Sequence, residues 1–415
     1  MVKSTLNFTI RFKMKNIAII NTSDYSSTGK IATELYTNLT DYGYNVYFCY
    51  GRGKEPNDTS KYRIDYKWET FLHVIQTRLL GTEGIHSTYA TRRLVSRLRE
   101  WKIDTVIAIN LHGYYINTPI LFDYLKQDNI RFIYIMADES PYLGKCGVKN
   151  DCDKYLTGCH HCPYYKRYPF TWFFDRASYL YKIKDRNYGK LGKRHCFVGP
   201  QYVIENAKLA PLTRNLNLKA VDEAINVELY KPSDYNRLLL DLGINKDKII
   251  IVCVASLAAI HKGGNYFIEL AKRFECDNRF EFLLISRNLN GNSRPSCNLT
   301  ILGYIEKLED LARYYSMADL FVCPSLSDTQ PNTCIEALAC GTPLLCFNIS
   351  GMPYIGGQDV MTLVEARNVD QLAEVVNKTR KKTEELSIHC REYAVARYDS
   401  RTYASKIINI ANQII

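Results

Sequence analysis

The sequence predicts an α/β protein made of two doubly wound domains. Three observations carry that prediction. A chain of 415 residues accommodates two domains of about 200 residues each. Short apolar runs at 17–20, 105–110, 132–136, 249–255 and 280–285 alternate with stretches at helical spacing, the pattern of buried parallel strands joined by crossover helices. Finally, residues 319–347 compress strand, loop, helix and strand into one unit.

In chain order, residues 1–13 precede Met14-Lys15-Asn16, which reads as a natural start, and are expected to be an appendage. They have neither the apolar core nor the cleavage site of a signal peptide. A strand at 17–20 opens into a Ser/Gly loop and a helix marked by Ile31, Leu35 and Leu39. Such a turn contacts phosphate or sugar in doubly wound domains, which makes Thr28 and Gly29 candidates. Residues 45–50 form the next strand, and 60–100 carry helical patterns with exposed Arg and Lys. Residues 111–117, with His112 and Tyr114, leave the carboxyl end of the 105–110 strand, where ligands bind in open sheets. His112 reads as a base, a donor to sugar hydroxyls, or a satisfied structural histidine.

The 132–136 strand ends in Ala137, Asp138 and Glu139, and an insertion follows at 142–170. Its Cys146, Cys152, Cys159 and Cys162 offer the four soft ligands that structural zinc requires, in a spacing that is not a standard finger. Packing thiols or a redox pair are the other readings. A domain boundary is expected at residues 222–223, giving domains 1–222 and 223–399. A last helix within 400–415 is expected to cross back to the first domain. The second half opens with the 249–255 strand, a loop from Ser256 to His261, and Lys262-Gly263-Gly264 at a helix start. A lysine there neutralises a diphosphate as a point charge.

Within 319–347, an apolar run ends at Pro324 and a polar loop carries Asp328. Pro331 suits a first helical position, and Cys334, Ile335, Leu338 and Ala339 share one helix face. Gly341 is placed as a left-handed stop. Asp328 thus lies where a strand's carboxyl end meets a helix N-terminus. The amides of Asn332 and Thr333 suit a diphosphate, and Glu336 suits a ribose diol.

The charge is uneven: residues 1–222 carry 33 Lys+Arg against 20 Asp+Glu, and residues 223–415 carry 21 against 23. The basic half suggests an anionic leaflet or a phospholipid-linked acceptor, and no nucleic-acid recognition motif accompanies it. Fourteen cysteines without an export signal fit a reducing cytoplasm. No apolar run approaches the ~18 residues of a spanning helix, so any membrane attachment is expected to be peripheral, on the inner face.

Asp328, seven residues, and then Glu336-Ala337-Leu338-Ala339-Cys340-Gly341-Thr342-Pro343 resembles the donor-site signature of retaining GT-B glycosyltransferases of the glycogen-synthase-like family 4 type. Asp stands in place of the more usual Glu. The resemblance spans residues 15–415 and implies a GT-B fold with its site between the domains. Its Ser-Thr-Gly-Lys-Ile loop and Cys-rich segment resemble the colanic-acid and capsule-assembly branch. The likeness implies that Asp328 and Glu336 hold the donor's sugar and ribose, that Lys262 meets its diphosphate, that Ser256 also contacts the donor, and that Tyr304 and Ile305 hold the base. It implies a UDP- or GDP-sugar donor, a glycan or polyprenyl-linked acceptor, and no catalytic metal. Thr28, Gly29, His112, Tyr114, Asp138 and Glu139 would then face the reacting sugar and the acceptor. Two departures stand out: Ala137 replaces the usual His of a His-Asp strand end, with His112 or Glu139 as substitutes, and Leu257 replaces an Arg five residues before Lys262. A non-transferring epimerase and a silent sugar-nucleotide-binding subunit are the alternatives.

Overall fold

The structure is a computed structural model that describes residues 16–25, 27–286 and 292–414; the expected appendage lies outside them. The first sheet comprises β1 (Asn16–Ser23), β2 (Asn45–Arg52), β3 (Lys61–Arg63), β4 (Thr105–Ala108), β5 (Arg131–Ile135), β6 (His195–Gly199) and β7 (Leu218–Ala220). It is parallel throughout, in the order β3-β2-β1-β4-β5-β6-β7. The second comprises β8 (Ile249–Val254), β9 (Phe280–Ile285), β10 (Ser293–Ser296), β11 (Leu299–Leu302), β12 (Leu320–Cys323), β13 (Leu344–Phe347) and β14 (Met361–Val364). Its order is β10-β11-β9-β8-β12-β13-β14, and only the β10 edge is antiparallel.

The apolar runs follow from burial on both faces. Ile17 and Ile19 pack into one core of the first domain while Ala18 and Ile20 pack into the other. In β8, Ile249, Ile251 and Cys253 likewise separate from Ile250 and Val252. In each sheet the strand order reverses beside the first strand, β1/β4 and β8/β12, and those two switch points open the crevices that ligands use. The exposed polar edge strand β10 and the three-residue β3 had no apolar run to announce them.

The chain crosses between domains twice, and the crossings are tied together. Ile225 N–H donates to Tyr398 O and Ser400 N–H to Ile225 O, both at 3.0 Å. Arg397 Nε meets Asp222 Oδ2 at 2.8 Å. The helix Ser400–Gln413 then returns to the first domain, where Tyr403, Ala404, Ile407 and Ala411 join the core of Ile17, Ile19 and Ile107. One local expectation shifts: Pro331 is the N-cap of the helix Asn332–Ala339 rather than its first residue, since its ψ of 114° is extended. Gly341, at φ +81°, is the left-handed stop.

Ile407 is fully buried, so Ile407→Ala should lower unfolding free energy by about 2–5 kcal/mol in a urea titration. A change within about 0.5 kcal/mol, the range of ordinary surface substitutions, would mean that the terminal helix is not docked on the first domain.

Candidate active site

The second domain's half of the site is made by two loops at the carboxyl ends of β8 and β12. Gly263 has φ +75°, and a Cβ there would fall 1.8 Å from Pro324 O, so only glycine lets the loops touch. Leu326 N–H and Ser325 Oγ both donate to His261 O, at 2.7 and 3.1 Å. This contact sets Lys262 Nζ 2.5 Å from Asp328 Oδ2. Burial disfavours the Lys262 ammonium, but the Asp328 carboxylate outweighs it and holds the pKa above the usual lysine value. Gly351 brings its backbone against the same loop: its N–H donates to Asp328 O at 2.9 Å, and a Cβ would sit 1.7 Å from Thr329 O.

Asn332 and Thr333 occupy the first turn of the Asn332–Ala339 helix, ahead of its own bonding, which begins with Cys334 N–H donating to Pro331 O. Glu336 lies deeper, 5% exposed, and its Oε2 accepts the Tyr315 hydroxyl at 2.8 Å. Burial and this carboxylate hold the Tyr315 and Tyr230 hydroxyls well above the usual tyrosine pKa. Tyr304, exposed on the turn that also carries the half-buried Ile305, stands within electrostatic reach of Tyr230. Ser256, half-buried, closes the loop after β8 by accepting Ala259 N–H at 3.1 Å. Leu257 packs on Gly264, so the position where the resemblance leads one to expect Arg is an apolar contact here.

Across the cleft, β4 and β5 are neighbours, which brings His112 to Asp138. Nε2 of His112 meets Oδ2 of Asp138 at 2.6 Å, and its Nδ1 meets the Tyr168 hydroxyl at 3.2 Å. Of the two substitutes for the histidine missing at Ala137, His112 is the one that reaches Asp138. Burial alone would lower the His112 pKa, but Asp138 outweighs it and leaves it above the ordinary histidine value. Burial would likewise raise Asp138, and His112 with Ser140 brings it below the usual range. The backbone below is braced: Thr22 Oγ1 donates to His112 O at 2.7 Å, and Gly113 N–H donates to Glu83 Oε1 at 2.8 Å. Tyr114, at φ +68°, has a hydroxyl pushed up to about 12 by burial and then Glu83. At the start of the helix Ser27–Asp41, Asn21 Nδ2 donates to Thr28 Oγ1 at 3.3 Å, and Gly29 packs on the backbone of Asp24.

Glu139 needs correction. It is 2% exposed, its Oε1 accepts the Tyr142 hydroxyl and its Oε2 the Lys149 amide. Both oxygens anchor the insertion, so neither is offered to an acceptor.

The two halves touch. Thr329 Oγ1 donates to Ala137 O at 3.3 Å, and Glu223 N–H donates to Gln330 Oε1 while Gln330 Nε2 donates to Glu223 O, both at 3.1 Å. In the sequence Glu223 marks only the expected domain boundary, where it stands beside Asp222 as an acidic pair. Its side chain is 5% exposed, and Oε1 finds no partner among the described residues. Burial, with Asp328, Asp138 and Asp222 nearby, pushes this carboxyl well above the usual range.

The four insertion cysteines and His160 line one small cavity. Gly144 N–H donates to Cys159 Sγ at 3.2 Å, and a hydrogen bond from Cys146 brings the Cys162 thiol down to about 6. The spacing therefore does gather the thiols. Among the described residues no group of three His, Cys, Asp or Glu side chains is arranged to hold a metal ion.

Residues 248–381 match the family model for glycosyl transferases group 1. The N,N'-diacetylbacillosaminyl-diphospho-undecaprenol alpha-1,3-N-acetylgalactosaminyltransferase of Campylobacter jejuni is 24% identical over 235 residues, covering 52% of this chain and 61% of that protein. The alpha-galactosylglucosyldiacylglycerol synthase of Streptococcus pneumoniae is 25% identical over 288 residues, covering 63% of this chain and 68% of its own. The structure of sucrose-phosphate synthase from Thermosynechococcus elongatus superposes with a TM-score of 0.66 at 15% identity, over 96% of this chain and 98% of that one. That likeness is one of fold, and the fold is GT-B.

The His112–Asp138 pair is testable by NMR titration. A raised folded pKa means that the pair's stabilisation is complete below the unfolded histidine value of about 6.5 and is lost as pH rises through the folded value. Asp138→Asn removes the carboxylate and leaves the burial, so the His112 pKa should fall below 6.5, the ordinary value. An unchanged His112 titration would show that the two groups are not coupled.

Proposed function

We propose that this protein is a glycosyltransferase that moves a hexose-type sugar from a UDP- or GDP-sugar to a polyprenyl-linked glycan, with retention of configuration, in bacterial surface-polysaccharide assembly. The observation that carries this reading is the convergence, in one switch-point crevice, of the Lys262–Asp328 pair, a helix N-terminus and the buried Glu336, facing His112–Asp138. The group 1 match over residues 248–381 covers the donor side. The acceptor class is supported by relatives whose names specify a diphospho-undecaprenol and a diacylglycerol substrate. Retention and the capsule-type setting rest on the resemblance of the Asp328–Glu336 signature and of the Cys-rich segment.

In this reading Glu336 accepts the ribose hydroxyls, with Tyr315 fixing its orientation, and the turn at Tyr304 and Ile305 covers the base. The diphosphate draws Lys262 away from Asp328, which leaves the Asp328 carboxylate for the sugar hydroxyls. As the bond from sugar C1 to the phosphate oxygen breaks, negative charge grows on the diphosphate. Lys262 and the Asn332 and Thr333 amides oppose that charge in place. The acceptor hydroxyl bonds to C1 and its proton leaves with the diphosphate, while His112 and Asp138 position the reacting sugar. The work takes place at the inner face of the cytoplasmic membrane.

Lys262→Ala should lower turnover about 10²–10³-fold, the usual effect of removing one preorganised charge-stabilising group. Glu336→Ala should weaken nucleotide binding about tenfold or more, from a charged hydrogen bond of about 1.5–3 kcal/mol. Calorimetry with UDP and GDP, and sugar transfer into a lipid extract, measure the two effects. Unchanged nucleotide affinity in folded Glu336→Ala would refute the donor site, and a product formed from donor alone would replace transfer by isomerisation.

A further inference from the structure

The helix Lys67–Leu80 is turned inside out. Its buried face carries Glu69, His73 and Thr77, one turn apart. Glu69 accepts the Tyr89 and Ala90 amides, each at 2.8 Å, and so caps the next helix, Thr88–Glu100. His73 bonds Ser87 Oγ at 2.7 Å and accepts Gly84 N–H at 3.2 Å; burial holds its pKa down to about 3, so the ring is neutral. The opposite face presents Trp68, Phe71, Leu72 and Leu79 to solvent, with Phe71 64% exposed, and Leu80 is exposed at the helix end. A surface helix ordinarily turns its apolar stripe to the core, and exposed apolar patches of this kind mark an interaction site.

A second element extends the same surface. The end of the insertion and the residues just after it expose Phe170, Trp172, Phe173 and Phe174, with Phe173 65% exposed. It is fixed to the helix: Trp172 N–H donates to Arg78 O at 2.8 Å, and Phe174 O lies against Gly81. Cations rim these rings. Lys67 and Arg78 lie on the helix, Lys166 and Arg167 precede the aromatic run, and the Arg176 guanidinium covers the Phe174 ring at 5.4 Å. The acid in this segment, Asp175, accepts the Cys162 and Ala177 amides. The patch ends at the cleft, because Tyr168 of the same segment touches His112.

We propose that this apolar face, with its basic rim, seats the protein on an anionic bilayer and brings a lipid-linked acceptor directly to the His112–Asp138 side of the cleft. Aromatic side chains at the headgroup level and flanking Arg and Lys are the chemistry of interfacial binding. A second copy of the chain fits less well, since a two-fold contact sets one basic rim against another, and the acid of this segment, Asp175, is already engaged by backbone amides. The choice of acceptor rests on the transferase reading; the surface itself does not.

Two of the chain's three tryptophans, Trp68 and Trp172, lie in the patch, while Trp101 stacks on Tyr47. Full-length protein should sediment with phosphatidylglycerol-containing vesicles and not with phosphatidylcholine alone, and brominated acyl chains should quench its fluorescence. Phe71→Ser/Phe173→Ser should abolish quenching and weaken vesicle binding about tenfold or more, a loss of at least 1.4 kcal/mol. Arg78→Gln/Arg176→Gln should remove much of the salt sensitivity. Each variant should keep the nucleotide-induced thermal shift of the parent, which shows an intact second domain. Undiminished vesicle binding by the Phe71/Phe173 variant overturns the proposal. So does patch-dependent self-association without vesicle binding, which would make the face a contact between copies. Vesicle binding with no nucleotide shift in the parent would instead defeat the transferase reading and leave this surface standing.

Discussion

The Lys262–Asp328 pair is the interaction on which the cleft depends. Three carboxyl groups, Asp138, Glu223 and Asp328, are gathered where two sheets face each other, and a buried charge there requires a partner or a proton. Asp138 takes His112 and Asp328 takes Lys262. Glu223, whose Oε1 finds no partner among the described residues, has its carboxyl pushed well above the usual range by burial and the neighbouring acids. The pairing of Lys262 is possible only because Gly263 and Gly351 let backbones approach the β12 loop closely. Replacing either glycine would move the ammonium or the carboxylate before it changed any contact to a ligand. In the proposed reading, an arriving diphosphate competes with Asp328 for Lys262, so donor binding and release of the Asp328 carboxylate go together.

On the first domain, polar burial and apolar exposure have the same origin. Glu69 and His73 turn inward because they satisfy the amides of Tyr89, Ala90 and Gly84, and that choice forces the tryptophan and phenylalanine side outward. The insertion is braced by buried cations: Lys184 donates to Ser140 O and Leu143 O, and Lys145 to Tyr165 O and Arg167 O. Burial lowers the pKa of both lysines. These bonds hold the segment from Lys166 to Phe174 against the domain, so its exposed rings are presented by a fixed backbone.

Much of this was legible in the sequence. The buried strands were, because both faces of each sheet are covered and the runs are therefore continuous. The Asp328–Glu336 unit was, because its spacing is local. What was not legible depends on contacts between distant residues. His112 and Asp138 are 26 residues apart and meet only because β4 and β5 are adjacent. Glu139 looked available until the insertion folded over it. The stripe of the Lys67–Leu80 helix has a period that reveals two faces but not which one the core takes. That was decided by the unpaired amides at the start of the following helix.

In the proposed function a sugar nucleotide enters the crevice defined by Lys262, Asp328 and Glu336. Hydrogen–deuterium exchange with and without UDP or GDP tests it most directly. Nucleotide-dependent protection is expected at residues 260–265, 303–305 and 328–336, with little change in the β1–β3 region. Protection confined to the first domain, or none at nucleotide concentrations that shift the melting temperature, would contradict it.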